Sequence, residues 1–135
     1  MIDVHVKGCF FVTRPAYEHM KTVGYGRIVN TSSGSGLFGS FGQTAYSAAK
    51  AAIYGFTRTL AIEGVRYGIH VNAIAPGEIK TSILSPSTEE QLIPEIPMRR
   101  LGTPEEVAKT IYFLCSDQSS YVNGAEIHIN GGQHA

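Results

Sequence analysis

Apolar and small residues recur every three or four positions at Ile2, Val6, Cys9, Phe10, Thr13, Ala16, Tyr17 and Met20. That spacing predicts an amphipathic helix over the first twenty-odd residues, which Pro15 is expected to kink or split because it lacks an N–H and crowds the preceding turn. Gly24-Tyr25-Gly26 reads as a turn, and Arg27-Ile28-Val29-Asn30-Thr31 as a short buried strand. A glycine- and serine-rich loop follows. Ala45, Ala48, Ala49, Ala52, Phe56, Leu60 and Ile62 then predict a long helix from Thr44 to Tyr67, with Gly68 placed to end it. Ile69 to Ala75 reads as a second buried strand stopped by Pro76-Gly77. Glu78 to Gly102 has no steady period and reads as a long loop with room for a helical turn. Thr103-Pro104-Glu105-Glu106 is a capping box with proline at the first helical position, opening a helix to about Ser116. Ala125 to Asn130 is the third strand. Helices alternating with continuous apolar strands predict an α/β fold: parallel βαβ units with right-handed crossovers, about three strands and three main helices.

Composition narrows the function classes. At 135 residues and 43% apolar, the chain is long enough for one core, and the roughly 100 to 200 residues of a typical domain leave no room for a second. Eleven basic and eleven acidic residues cancel, so no net field draws it to nucleic acid or an anionic membrane; a small neutral partner fits best. Cys9 and Cys115 sit among apolar neighbours, read as small hydrophobes rather than a disulfide, and point to a reducing compartment. No apolar run approaches the roughly 20 residues of a membrane span and no signal core follows Met1, so a cytoplasmic protein is expected. No metal site is expected.

Three chemical patterns overlap between Ser32 and Ala52. Gly34, Gly36 and Gly39 spell G-x-G-x-x-G after a strand, but a dinucleotide fingerprint leads at once into a helix that holds the pyrophosphate, whereas here Ser40-Phe41-Gly42-Gln43 and more loop follow. An active-site loop is the better account. Ser47 and Lys50 spell S-x-x-K, with Ser116-Asp117-Gln118 and Lys80-Thr81-Ser82 as near misses of the companion motifs; the parallel βαβ pattern argues against that reading. Tyr46 and Lys50 stand one helical turn apart and share a face. A bare Y-x-x-x-K is most often an ordinary amphipathic helix. This one has company: Ser33 after the first strand, Asn30 within it, then Asn72 and Pro76-Gly77 in the second, and strand ends on one edge of a parallel sheet are where open α/β folds bind ligands.

"GRIVNTSS", "YSAAKAA" with its tyrosine thirteen residues past Ser33, "GIHVNAIAPGEIKT", "RLGTPEEVA" and "YVNGAEIHINGG" together resemble the short-chain dehydrogenase/reductase family, in that order and spacing, across essentially the whole chain. The resemblance implies a Rossmann-like doubly wound parallel sheet, of which this is the C-terminal half. It implies Ser33, Tyr46 and Lys50 as catalytic residues, with Tyr46, Lys50, Pro76, Gly77, Ile79 and Thr81 contacting the nicotinamide end of NAD or NADP. The physics agrees in kind. Bringing a phenol from a pKa of about 10 to about 7 takes roughly 4 kcal/mol of preference for the phenolate, and a lysine ammonium one turn away has the right sign. Tyr46 would exchange the proton on the oxygen of a small alcohol or ketone, Ser33 would hydrogen-bond that oxygen, and Lys50 would hold the nicotinamide ribose.

Two departures from the family pattern stand out. Members commonly carry an asparagine in the first helix where this chain has His5, which, with "LAIEG" at Leu60 to Gly64, resembles the dehydrogenase units of multifunctional β-oxidation enzymes and points to 3-hydroxyacyl substrates. His5 reads equally as a surface residue or a proton relay. The family's phosphate loop, the residue that chooses NAD or NADP, and its N-N-A-G segment have no counterpart here, so Met1 falls at an internal position of the family's fold, as an internal start or an artificial boundary. Three strands leave apolar helix surface uncovered, and a homo-oligomer is expected. Two functions follow: the catalytic half of an NAD(P)-dependent alcohol dehydrogenase or ketone reductase, or a non-catalytic oligomerisation module that has lost cofactor binding.

Overall fold

The computed structural model describes residues 1–133. Three parallel strands, β1 (Gly26–Thr31), β2 (Ile69–Pro76) and β3 (Glu126–Ile129), lie side by side in chain order, with Gly26 opposite Ile69, Thr31 opposite Ile74, and Ala73 opposite Glu126. Both faces of β2 are covered, and Ile69, Val71, Ala73, Ile74 and Ala75 are at most 1% exposed, which is why apolar residues stand on both faces of the strand, with His70 and Asn72 the polar exceptions. This is the α/β, Rossmann-like arrangement expected.

The main helices are α1 (Gly8–Val23), α3 (Thr44–Gly64) and α5 (Pro104–Cys115). Tyr17 of α1 and Leu60 and Ala61 of α3 meet Ile69 and Val71 of β2 in one core, with Met20, Ile28, Phe56 and Tyr67 packed around it. The pleat sends Asn72 and Ile74 to the other face, where α5 packs on β1 and β2 and buries Leu114. The capping box forms as the sequence predicts: Thr103 Oγ1 accepts from Glu106 N–H at 3.3 Å, and Glu106 Oε2 accepts from Thr103 N–H at 2.9 Å.

Several expectations change. Pro15 neither ends nor splits α1. The carbonyl four residues before it belongs to Phe11, which is 66% exposed, so water can replace the lost donor. The irregularity lies earlier, in a turn of π-helix at Asp3–Lys7. The long helix stops at Gly64 and tightens into a 3₁₀ turn, Val65–Tyr67, before Gly68 closes it in a left-handed conformation at φ 72°. The glycine loop contains a four-residue helix, α2 (Ser35–Phe38), and segment 78–102 contains α4 (Pro86–Leu92), capped by Ser85, and a 3₁₀ turn at Ile93–Glu95. Cys115 is exposed rather than a buried hydrophobe, and both cysteines are free. Among the described residues no helix is long and apolar enough to cross a membrane.

One device extends the sheet beyond its strands. β3 begins opposite Ala73, so the backbone of Val71 has no strand beside it on that side. Asn123 takes the place of one: its Oδ1 accepts from Val71 N–H at 2.9 Å, and its Nδ2 donates to the Ala61 carbonyl at 3.0 Å, tying β2 to α3.

Candidate active site

A cleft of about 1030 Å³ opens at the carboxyl ends of β1 and β2 and is lined by, among others, Ser33, Tyr46, Lys50, Pro76, Gly77 and Thr81. It forms there because parallel strands all release their chains at one edge, and the loops after β1 and β2 diverge. Ile79 is not among the lining residues; it bridges to Gly102, and its Cδ1 lies so close that a Cβ on Gly102 would stand 2.7 Å away.

Lys50 is 6% exposed, an uncommon state for an ammonium. Its Nζ donates to the Thr31 carbonyl at 2.9 Å, and its own carbonyl accepts from Ser32 Oγ at 3.2 Å, so the end of β1 holds the lysine from both ends. Burial lowers its pKa from the ordinary lysine value, with the nearby Cys9 acting weakly in the opposite direction. Nζ stands 5.6 Å from the centroid of the half-buried Tyr46 ring. His5, on the π-helical turn, meets the same ring edge to face at 6.0 Å between centroids. Its imidazole is held below the ordinary value by burial, then by Lys50, then by the amino terminus. Burial raises the Cys9 thiol, against a smaller opposing contribution from its hydrogen bond to Thr13.

Ser33 follows β1 directly, and its Oγ accepts from Ser35 N–H at 3.3 Å, turning the chain into α2. Gly36 then lies flat on α3: a Cβ there would sit 2.8 Å from Ala51 N and 2.9 Å from the Lys50 carbonyl carbon. This explains the middle glycine of the G-x-G-x-x-G pattern, and Gly39 ends α2 at φ 76°. Gly36 allows α2 to press against the helix that carries Lys50, and α2 itself is one turn long.

Ser47, from the S-x-x-K pattern, does not line the cleft, and its buried Oγ has no partner. Asn30 also points elsewhere, donating to Thr57 Oγ1 at 2.9 Å and accepting from Cys9 Sγ at 3.6 Å. Asn72 links β2 to the approach of β3, through Val122 O at 3.0 Å and Ala125 N at 3.0 Å. Both asparagines are structural. Sequence reading missed the Thr31 carbonyl and Ser32, whose part depends on where β1 ends, and missed Glu78 and Glu95 on the cleft wall. Nothing in the sequence near Glu95 distinguishes it from the other acidic residues of its segment.

Comparison with known proteins follows from this geometry. A family model described as enoyl-(acyl carrier protein) reductase matches residues 1–134. The chain is 56% identical to protein FixR of Bradyrhizobium diazoefficiens over 81% of its length and 40% of FixR. It is 46% identical to an acetoacetyl-CoA reductase of Rhizobium meliloti, over 99% of this chain and 57% of that one. It is 43% identical to the 3-oxoacyl-[acyl-carrier-protein] reductase FabG of Rickettsia felis, over 98% and 56%. A crystal structure from Agrobacterium tumefaciens, provisionally assigned as a gluconate dehydrogenase, superposes with a TM-score of 0.92 at 35% identity, covering 98% of this chain and 54% of that one. The chain thus spans about half the length of these relatives. It belongs to the short-chain dehydrogenase/reductase family of oxidoreductases, and its residues match the C-terminal half of that fold.

Proposed function

We propose that these residues form the catalytic half of an NAD(P)-dependent reductase or dehydrogenase acting on a small ketone or alcohol, of the acetoacetyl or 3-oxoacyl kind named for its relatives. The observation that carries this reading is the convergence of Ser33, Tyr46 and a buried Lys50 on one cleft at the strand ends. Lys50 uses one of its three hydrogens on Thr31, which leaves two donors for the hydroxyls of a nicotinamide ribose, and Pro76, Gly77 and Thr81 line the space beside it. The nicotinamide end of the cofactor therefore fits. α2, the helix that opens directly from Gly34, is one turn long and offers no extended N-terminus to a pyrophosphate.

When bound, the reduced nicotinamide supplies hydride to the carbonyl carbon. Ser33 Oγ hydrogen-bonds the carbonyl oxygen and orients it. Tyr46 Oη gives that oxygen a proton as its charge grows, which yields the alcohol, and the Lys50 ammonium stabilises the phenolate left behind. In the oxidative direction Tyr46 takes the proton back. His5, against the Tyr46 ring, is placed to hold that ring in position.

In the chain joined to a complete dinucleotide-binding half, Tyr46→Phe is expected to lower turnover by roughly 10² to 10⁴; near-normal turnover sinks the assignment. The 135 residues alone are expected to give no nicotinamide fluorescence change on titration with NADH or NADPH, because a ribose contact and part of a wall do not offset the cost of immobilising so large a ligand. Micromolar binding by this chain would contradict that.

A second reading has its own observation. Val6, Phe10, Ala52, Ile53 and Phe56 line an apolar groove of about 250 Å³ between α1 and α3, a surface suited to a second copy of the chain. Homo-oligomerisation is compatible with either role, and loss of cofactor binding in a full-length context would leave only the second.

A further inference from the structure

Segment 78–102 and the helix after it decide the charge of the cleft. The segment carries three basic residues, Lys80, Arg99 and Arg100, and none of them lines the cleft among the described residues. Each is engaged elsewhere. Lys80 Nζ lies 3.3 Å from Glu89 Oε2, Arg99 Nη1 donates to the Pro94 carbonyl at 2.6 Å, and Arg100 makes a forked pair with Glu106 at 2.9 and 2.7 Å. Glu106 is thereby held down to about 2, ionised at any physiological pH. Two carboxylates of the same segment, Glu78 and Glu95, do line the cleft, and among the described residues neither makes an ion pair or side-chain hydrogen bond. The only cation on the wall among the described residues is Lys50, which is buried and already donates to Thr31. Ile83 and Leu92 supply apolar wall beside Glu95.

We infer that Glu78 and Glu95 are specificity-determining residues that turn away substrates bearing a free carboxylate near the reacting carbon, so that the cleft takes uncharged ketones and alcohols. A carboxylate entering this cleft meets two like charges against the single Lys50 ammonium, which is buried and already donates to Thr31, and no guanidinium lines the wall among the described residues. An ester or neutral ketone of the same shape meets only polar hydrogen-bonding groups and the Ile83–Leu92 wall. The inference separates this chain from its structural neighbour, whose assigned substrate is a sugar acid. It rests on the proposed function of the cleft.

The test uses a matched pair, ethyl acetoacetate and acetoacetate, titrated separately into the isotopically labelled 135-residue chain while the amide signals of Ser33 and Tyr46 are followed. The ester is expected to shift those signals at roughly tenfold lower concentration than the acid at low salt, and high salt should narrow the difference by screening. Glu78→Gln with Glu95→Gln should bring the two ligands to within about twofold, by strengthening the acid and leaving the ester unchanged. Neutral amides keep the shape of both side chains, so a purely structural role would not move the ratio. Equal affinity for acid and ester in the unaltered chain overturns the inference and leaves the ketone site standing. A difference that survives both substitutions and high salt also overturns it, because the discrimination then lies elsewhere. Failure of both ligands to move Ser33 or Tyr46 overturns the ketone site itself, and the inference with it.

Discussion

The two ends of the sheet are built from similar polar residues put to opposite uses. At the carboxyl ends, Lys50 is anchored through one hydrogen and keeps two, Tyr46 is half-buried beside a cleft, and the side chains of Glu78 and Glu95 have no partner among the described residues. At the amino ends most bonding capacity goes into the fold, while the buried Arg27 Nε and His70 Nδ1 do not line the cleft. Arg27 stacks on Tyr25 at 4.7 Å, donates to the Gly26 carbonyl at 3.0 Å and approaches Asp117 at 3.7 Å. Ser119 Oγ donates to the carbonyls of Leu114 and Ser116, and Asn123 ties β2 to α3. Residue type alone does not mark a functional group. What marks it is unspent capacity that faces a cleft, and in a parallel sheet that combination arises where the strands end in loops.

Substitutions at the two ends should therefore separate activity from stability. Tyr46→Phe, with the largest effect on turnover, is expected to leave unfolding free energy within about 0.5 kcal/mol; a larger shift in chemical denaturation would show that the phenol serves the fold. Asn123→Ala should do the reverse. It strands the Val71 N–H and removes a tie to the Ala61 carbonyl, which keeps its bond from Val65 N–H, and a loss of about 1 to 3 kcal/mol in urea unfolding is expected, with the amide signals of Ser33 and Tyr46 unmoved.

Gly36→Ala lies between the two cases. Its Cβ would press on backbone atoms of Ala51 and Lys50 that cannot yield, so about 1 to 3 kcal/mol of destabilisation is expected, together with displacement of Ser33 and Lys50 signals. A silent Gly36→Ala would return that glycine to the role of a loop residue.

The smallest effect is pH-dependent. Burial, and then Arg27, hold the His70 imidazole below its ordinary 6.5, and its Nδ1 is buried without a partner. The unfolded chain accordingly takes up a proton that the folded chain resists. Stability present above about pH 6.5 is then lost as pH falls below that value. Thermal unfolding midpoints of His70→Gln should fall less steeply on acidification than those of the unaltered chain; His5, lowered likewise, accounts for some of the remaining slope. Identical slopes would remove His70 as the acid-sensitive point.

Legibility in the sequence followed the range of the forces involved. The capping box, the left-handed Gly68, the start of α3 at Thr44 and the position of β2 depend on neighbours a few residues away, and all could be read directly from the chain. So could the one-turn spacing of Tyr46 and Lys50, since an α-helix places residues four apart on one face. Pro15 misled because its cost depends on whether water reaches the orphaned carbonyl, which is a property of the surface. Asn30 and Asn72 looked like site residues because they stand in the strands beside the cleft, yet Thr57, Val122 and Ala125, more than twenty residues away in sequence, hold them in the fold.

The sequence by itself determined the main helices and the three parallel strands, because helical period, strand burial and capping are local and strongly patterned, and its family resemblance supplied the candidate trio. The tertiary structure alone decided that Gly36 serves packing rather than phosphate, that Thr31 and Ser32 anchor Lys50, and that Glu78 and Glu95 face the cleft while every arginine and lysine of their segment is engaged elsewhere. Those outcomes depend on which surplus donors and acceptors remain once distant segments have met, and side-chain hydrogen bonds between distant segments leave no period in the sequence to read.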